Sequence, residues 1–342
     1  MKAAKYLRAC KLSTVGAKNL VKWHFGIPLK PKEIVFEVTD VCNSRCIHCN
    51  IWKNKPCNDP LKPHEVGELL KDTTFSNLEA ILITGGEPTL RGDLLELMLE
   101  MHDVCPKANQ WLSTNGLLPD YILATVRELL SVGVNIGVGI SLDGIGEKHD
   151  KTRGIKGNFD KVVKLIDGLQ DLGVCPTVGF VLSPHTVSNY KELSQFTKER
   201  RIPLLIQAYE EAPYYRHQER IDTIGKGIFE IIQHLPQTLK TKLWLKLLQG
   251  KRHNFKCFAM NSFFLLHHNG DISPCLKLSD HVAGNVRSKP FSEIWKGEVA
   301  SNLRKAVKTC DGCLNDWATN LSFESLYYPI LFHNAKRRLK EL

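Results

Sequence analysis

The chain has no apolar run near the roughly 18 residues that a membrane-spanning helix requires, so no segment is expected to cross a bilayer. Its N-terminus lacks a continuous apolar segment followed by a small-residue cleavage site, so no secretory signal is expected. Internal repeats and low-complexity stretches are absent, which excludes repeat arrays and biased disordered tracts. Acidic residues are outnumbered, 36 Asp and Glu against 46 Lys and Arg, and the net charge is +10. With 43% hydrophobic and 24% charged residues, the composition is that of a globular protein able to bury one large core. The excess charge gathers at Lys2, Lys5, Arg8, Lys11, Lys18 and Lys22, and again at Lys336, Arg337, Arg338 and Lys340. Such stretches are either solvated faces or attract anionic partners: phospholipid headgroups, nucleotides or nucleic acid.

Cysteine is not scarce: there are 11 in 342 residues. Without an export signal these point to metal chemistry in a reducing, oxygen-poor cytoplasm rather than to disulfides. Three of them, Cys42, Cys46 and Cys49, stand at C-x3-C-x2-C spacing just after an apolar run at 34–38 that reads as a strand. Thiolates are the usual iron–sulfur ligands, and such spacing lets one loop wrap one cubane with one iron left open. A Cys3His zinc site completed by His48 is the competing reading of these residues alone.

Residues 1–33 carry a helix-spaced apolar stripe, Ala3, Leu7, Cys10, Ala17 and Val21, opposite Lys5, Arg8, Lys11, Lys18 and Lys22. A basic amphipathic helix of this kind lies on a membrane surface or packs on the rest of the protein. From residue 34, short apolar runs alternate with helical patterns, which predicts βα units around a parallel sheet. Strands are expected near 34–39, 80–84, 109–114, 134–142, 177–182 and 202–208. Helices are expected near 63–71, 93–102, 119–132, 159–173 and 189–200. Six such units are fewer than a closed barrel contains.

Ligands in parallel βα folds bind at the C-terminal strand ends, and polar motifs stand there. They are Thr84-Gly85-Gly86-Glu87-Pro88, Ser113-Thr114-Asn115-Gly116 and Ser141-Leu142-Asp143-Gly144. Glycines allow a backbone to come close to a ligand, and a carboxylate accepts from an ammonium group. Taken singly, each motif reads equally well as a turn. Helical patterns at 211–252, broken at Pro236, read as linker helices. A module at 253–316 and a basic helix at 317–342 follow. In that module Asn269-Gly270 predicts a hairpin, which brings Cys257 and Cys275 together with the pair Cys310 and Cys313. Four cysteines in two pairs suit structural zinc at least as readily as a cluster.

With His48 beside the third cysteine and Gly-Gly-Glu one unit later, the pattern resembles the radical S-adenosylmethionine (radical SAM) superfamily over roughly residues 34–210. The resemblance implies an α/β fold, a partial (β/α)6 TIM-like barrel with a lateral mouth. It implies a [4Fe–4S] cluster on Cys42, Cys46 and Cys49, whose open iron chelates S-adenosylmethionine and cleaves it reductively to a 5′-deoxyadenosyl radical. It assigns the methionine amino group to Glu87 and the backbone of Gly85 and Gly86. Ribose and carboxylate contacts fall to Ser141, Asn115, Thr114 and Asp143, and an adenine contact to the backbone of His48. The stretch His149-Asp150-Lys151-Thr152-Arg153-Gly154 is similar to an HD-x-x-RG motif of the family, with Arg153 as a clamp for the cofactor carboxylate or as a surface ion pair.

The later pattern, C-x12-G-x4-C then C-x2-C, resembles the SPASM/twitch module, a small C-terminal iron–sulfur module. No cysteine follows Cys313, so the resemblance implies one auxiliary [4Fe–4S] cluster held by Cys257, Cys275, Cys310 and Cys313, as in the shorter twitch form. The implied activity is a radical SAM oxidoreductase. It would take a hydrogen atom from a small-molecule or peptide substrate, with a flavodoxin or ferredoxin as reductant and the auxiliary cluster as electron acceptor. Tyr209, Glu210 and Glu211 follow the sixth strand and are candidate proton acceptors. A cytoplasmic location, peripheral at an anionic inner membrane face, fits the basic helix. Two other readings compete. A peptide-modifying maturase is disfavoured because 33 residues before the first strand are too few for a leader-recognition domain. A zinc-stabilised nucleic-acid-binding protein or electron carrier has the Gly-Gly-Glu motif against it, and nucleic acid is not an expected partner.

Overall fold

The computed structural model describes residues 16–55, 59–210, 212–215, 226–235, 239–251, 256–310, 313 and 322. The basic stretch 1–15 and most of the expected C-terminal helix lie outside the described residues, as do Cys10, Cys57 and Glu211. In chain order the elements are helix α1 (16–25), β1 (Glu33–Glu37), α2 (Pro63–Leu70), β2 (Ala80–Thr84), α3 (Leu94–Val104), β3 (Asn109–Thr114) and α4 (Pro119–Ser131). Then come β4 (Ile136–Ser141), α5 (Glu147–Arg153), α6 (Asn158–Asp171), β5 (Thr177–Leu182), α7 (Tyr190–Glu199) and β6 (Leu204–Ala208). The remainder is α8 (Lys226–His234), α9 (Leu239–Leu248), β7 (Phe263–Leu266), β8 (Asp271–Ser273), β9 (Gly284–Asn285), α10 (Phe291–Lys296) and α11 (Glu298–Thr309).

Strands β1 to β6 pair in chain order, all parallel, as expected of a partial (β/α)6 barrel. Alternation sorts their side chains onto two faces. Ile34, Phe36, Ile81, Ile83, Leu112, Val138, Ile140, Val178 and Phe180 join Leu97, Met98, Ile122, Val126, Leu165 and Ile166 of the helices in one core. The alternate residues face the barrel interior.

The sheet does not stop at β1. The Asn269-Gly270 turn makes the expected hairpin of β7 and β8, but β7 also pairs parallel with β1, Glu33 opposite Phe263 and Phe36 opposite Leu266. The cysteine-bearing module therefore continues the barrel sheet. Phe263, Phe264, Leu265 and Leu266 are all buried, so this strand is covered on both faces and its composition carries no alternation that names its neighbour. Helix α5 was not expected either. It has seven polar residues with no apolar period, and its buried residues are His149, Thr152 and Arg153.

Helix α1 packs on the module with a face other than the expected stripe. Trp23 is buried on Phe258 and Val307, and its indole N–H donates to Cys257 O at 2.7 Å. Ala17 and Val21, the stripe residues, face solvent. Among the described residues no helix is long and apolar enough to cross a membrane.

Candidate active site

The cysteine loop leaves β1 and is zipped onto the turn that follows β2. Val38 N donates to Thr84 O, Gly86 N to Thr39 O and Glu87 N to Val41 O, at 2.8–2.9 Å. This contact is what requires the two glycines. A Cβ on Gly85, whose φ is +140°, would lie 2.3 Å from Thr39 O, and one on Gly86 would lie 1.9 Å from Val41 O. Both are thus needed for backbone against backbone, before any ligand is considered.

Glu87 is buried beneath this junction. Its Oε1 accepts from the Thr89 amide and hydroxyl and from Thr114 Oγ1, and its Oε2 accepts from the Asn115 amide at 2.7 Å. Burial pushes its carboxyl up, opposed by these donors. Asn115 carries the link onward, donating from Nδ2 to Asn43 Oδ1 at 2.8 Å and lying 3.9 Å from Cys42 Sγ. Glu87, Thr114 and Asn115 form one scaffold behind the cysteine loop. Ser141 is half-buried at the inward end of β4.

Helix α5 grips the loop from the other side. The Arg45 amide donates to Arg153 O at 2.8 Å and the Ile47 amide to Thr152 O at 3.1 Å. Gly154, with φ +68°, ends the helix where a Cβ would lie 2.7 Å from Arg45. The Arg153 guanidinium is buried, 2.8 Å from Asp143 Oδ2 and 3.5 Å from Cys46 Sγ. Asp143 is fully buried. Burial raises its carboxyl, but Arg153, then His48 at 3.9 Å and the Val181 amide, together hold it below the usual range. His149 Nδ1 accepts from the Asp143 amide at 3.1 Å, and burial pushes this imidazole down to about 4, so it is neutral. Asp150 accepts from Gly157 and Phe159 at the start of α6. Each polar member of the HD-x-x-RG stretch thus has a partner in the protein, and Arg153 is neither a surface ion pair nor exposed.

The residues fit an iron–sulfur group. Burial pushes the Cys42 thiol up to about 11 and Cys49 to about 12, with the neighbouring cysteines adding to the rise. A metal centre is what would hold such thiols deprotonated. The Ser44 amide points at Cys42 Sγ at 3.4 Å, as cluster sulfurs require. In the second set, Cys257, Cys275 and Cys313 pack on the cluster of Trp23, Phe258, Ala259, Phe263 and Val307. Burial raises Cys257 to about 11 and Cys275 to about 12, and Cys310, exposed at the end of α11, adds to both. Among the described residues no three such side chains are already gathered around a single ion; each set is a neighbourhood whose spacing the bound group would complete.

A radical SAM superfamily model matches residues 36–197, and an iron–sulfur cluster-binding domain model, SPASM, matches residues 257–314. Residues 36–197 are a radical SAM domain. The chain carries the SPASM module as well, and the two domains imply two [4Fe–4S] clusters and S-adenosylmethionine as cofactors. Among its relatives is the Fe-coproporphyrin III synthase of Methanosarcina barkeri, 27% identical over 312 residues, 82% of this chain and 77% of that one. Another is a probable GTP 3′,8-cyclase of Methanocaldococcus jannaschii, 25% identical over 77% of this chain and 90% of the relative. The fold is that of Streptococcus suis SuiB bound to S-adenosylmethionine, with a TM-score of 0.65 and 19% identity over 86% of this chain and 71% of SuiB.

Sequence reasoning missed the polar seam that joins this radical SAM barrel to the SPASM module. Glu37, at the end of β1, lies 2.6 Å from His267 Nδ1 and 3.5 Å from His268 Nδ1, just past β7. His267 Nε2 reaches Ser273 Oγ at 3.0 Å, and His268 Nε2 lies 3.7 Å from Asp40. Their only signal in the sequence is position: Glu37 interrupts the apolar run at 34–38, and His267 and His268 directly follow the run at 263–266.

Proposed function

We propose that this radical SAM enzyme is an oxidoreductase acting on a small organic substrate that carries a planar conjugated ring. The bound groups would supply a hydrogen-abstracting radical from S-adenosylmethionine and, at the auxiliary cluster, an acceptor for the electron the substrate then gives up. Cys42, Cys46 and Cys49 would hold the first cluster, and Cys257, Cys275, Cys310 and Cys313 the second. Glu87, Thr114, Asp143 and Arg153 position the loop, while Asn115, Ser141, the His48 backbone and the Gly85-Gly86 backbone border the cofactor.

One observation carries the oxidative reading. Cys42 and Cys49 share a buried apolar cluster with Tyr214, Tyr215 and Leu276, the residue after Cys275. The first cysteine set thus packs on a small interior patch that the residue after Cys275 also joins. Glu210, one of the three candidate proton acceptors, lies 3.1 Å from Nζ of Lys277, the residue after Leu276. The substrate class is supported by the relatives, one named for a porphyrin and another for GTP. Both compounds contain flat conjugated rings. A reductant of the flavodoxin or ferredoxin kind completes the reaction. Location at an anionic membrane face is supported by α1 and the residues after it, where Val21, Phe25 and Ile27 are exposed among Lys18, Lys22 and Lys30.

The test is anaerobic reconstitution with iron and sulfide, reduction, and assay for 5′-deoxyadenosine. Replacing Cys42, Cys46 and Cys49 together by Ala should abolish its formation while iron remains on the second set. Undiminished 5′-deoxyadenosine in that triple variant would overturn the assignment.

A further inference from the structure

The barrel interior carries large side chains on one side and a strip of glycine on the other. Under the cysteine loop, Val35, Leu265, Tyr214 and Leu82 pack together. Across β4 and β5 the inward positions, alternating with buried Val138, Ile140, Val178 and Phe180, are Gly137, Gly139 and Ser141 on β4 and Thr177, Gly179 and Val181 on β5. Trp111, inward on β3 between buried Gln110 and Leu112, lies over two of these glycines. A Cβ on Gly137 would lie 2.3 Å from Trp111 Cε3, and one on Gly139 would lie 2.8 Å from Nε1. One side of the indole is therefore laid on bare strand, yet Trp111 remains 36% exposed. Further up the strands, opposite Ser141, a Cβ on Gly179 would meet only Ile140 O, at 3.8 Å, so the space over that residue is open.

This arrangement is unusual for the residue type. Trp23, Trp52 and Trp295 each donate the indole N–H to a backbone carbonyl of this chain. An indole buries more apolar surface than most side chains, and leaving part of it in water forgoes that stabilisation. Gly139, under the ring edge, is two residues and roughly 7 Å below Ser141 along the strand. The exposed ring thus sits one substrate's depth beneath the strand ends that border the cofactor.

We infer that Trp111 is the stacking wall of the substrate site, and that the glycine strip on β4 and the open space at Gly179 admit a flat conjugated ring against it. The inference rests on the substrate class proposed above and adds the residue that reads it. Stacking on a single aromatic wall is worth roughly tenfold in affinity, and a phenyl ring retains part of that while an aliphatic side chain does not.

The experiment is an equilibrium titration of the anaerobic holoprotein, without S-adenosylmethionine, with coproporphyrin III followed by its absorbance band and with GTP in parallel. The wild-type chain should bind at least one probe. Trp111→Leu should weaken that binding roughly tenfold, and Trp111→Phe should stay within about threefold of wild type. Gly179→Val, which fills the open space from a Cβ more than 4 Å from the indole, should weaken it as well and carries the test should Trp111→Leu not fold. S-adenosylmethionine affinity and 5′-deoxyadenosine formation are measured separately on each variant. Equal probe binding in wild type, Trp111→Leu and Gly179→Val would overturn the role of Trp111 and leave the proposed substrate class standing. Failure of the wild-type chain to bind either probe would overturn the substrate class and this inference together.

Discussion

Glu87 shows how a residue legible as a ligand contact is also a structural hub. Its carboxylate takes four hydrogen bonds, from Thr89 twice, Thr114 and Asn115, and through Asn115 it reaches Asn43 in the cysteine loop. Removing it leaves four donors facing a buried gap, and each unsatisfied donor costs about 1–3 kcal/mol. Glu87→Ala is therefore expected to lower the unfolding free energy by more than about 3 kcal/mol as well as to weaken the cofactor. Denaturant unfolding checks the first effect and equilibrium binding of S-adenosylmethionine the second. A variant of unchanged stability that merely loses cofactor affinity would mean that the carboxylate serves the ligand and not the loop.

At the scale of elements, α1 has two apolar sides with different fates. Leu20 and Trp23 face the SPASM module, while Val21 and Phe25, the latter 71% exposed, face out among lysines. A helix that packs on one face and presents the other, basic and apolar, is suited to an anionic bilayer. The full chain should co-sediment with anionic phospholipid vesicles at low salt and release as salt rises. Each lysine of Lys18 and Lys22 replaced by Gln should reduce binding by roughly fivefold, from about 1 kcal/mol per charge near the surface. No sedimentation at low salt would rule this out. Helix α5 makes the converse point, being a helix without an apolar face that is held by Asp143, Arg45 and the start of α6.

At the scale of the whole molecule, the described strands form one sheet that carries two cysteine sets, because β7 lies against β1. Glu37 with His267, and His267 with Ser273, tie the barrel strand to the turn that bears Cys275. Arg287, beside β9, adds a fork onto Glu65 at 2.7 and 2.8 Å. With both sets fixed to one frame, loss of the second should not disturb the first. Replacing Cys310 and Cys313 by Ala should lower iron from roughly eight to roughly four per chain while 5′-deoxyadenosine formation survives. Formation of oxidised product should collapse. Full turnover in that double variant, or one tightly bound zinc in the anaerobically prepared wild-type protein, would reject the redox role of the second set.

The sequence alone determined what depends on neighbours in the chain. Apolar alternation and the caps around Pro119 and Gly173 placed six strands and five of the helices, and the tight spacing of Cys42, Cys46 and Cys49 placed their loop at a strand end. The Asn269-Gly270 pair placed the hairpin, because only such residues accept its turn without strain. Tertiary structure alone decided what depends on residues far apart. It joined β7 to β1, since a strand buried on both faces has no pattern that specifies its partner. It made Gly85, Gly86 and Gly154 necessary through the backbone of the cysteine loop rather than through a ligand. It brought Arg153 from 107 residues away onto Cys46. Trp111 owes its exposure to a strand whose inward residues happen to be glycine, and that juxtaposition exists only once β3 and β4 are paired.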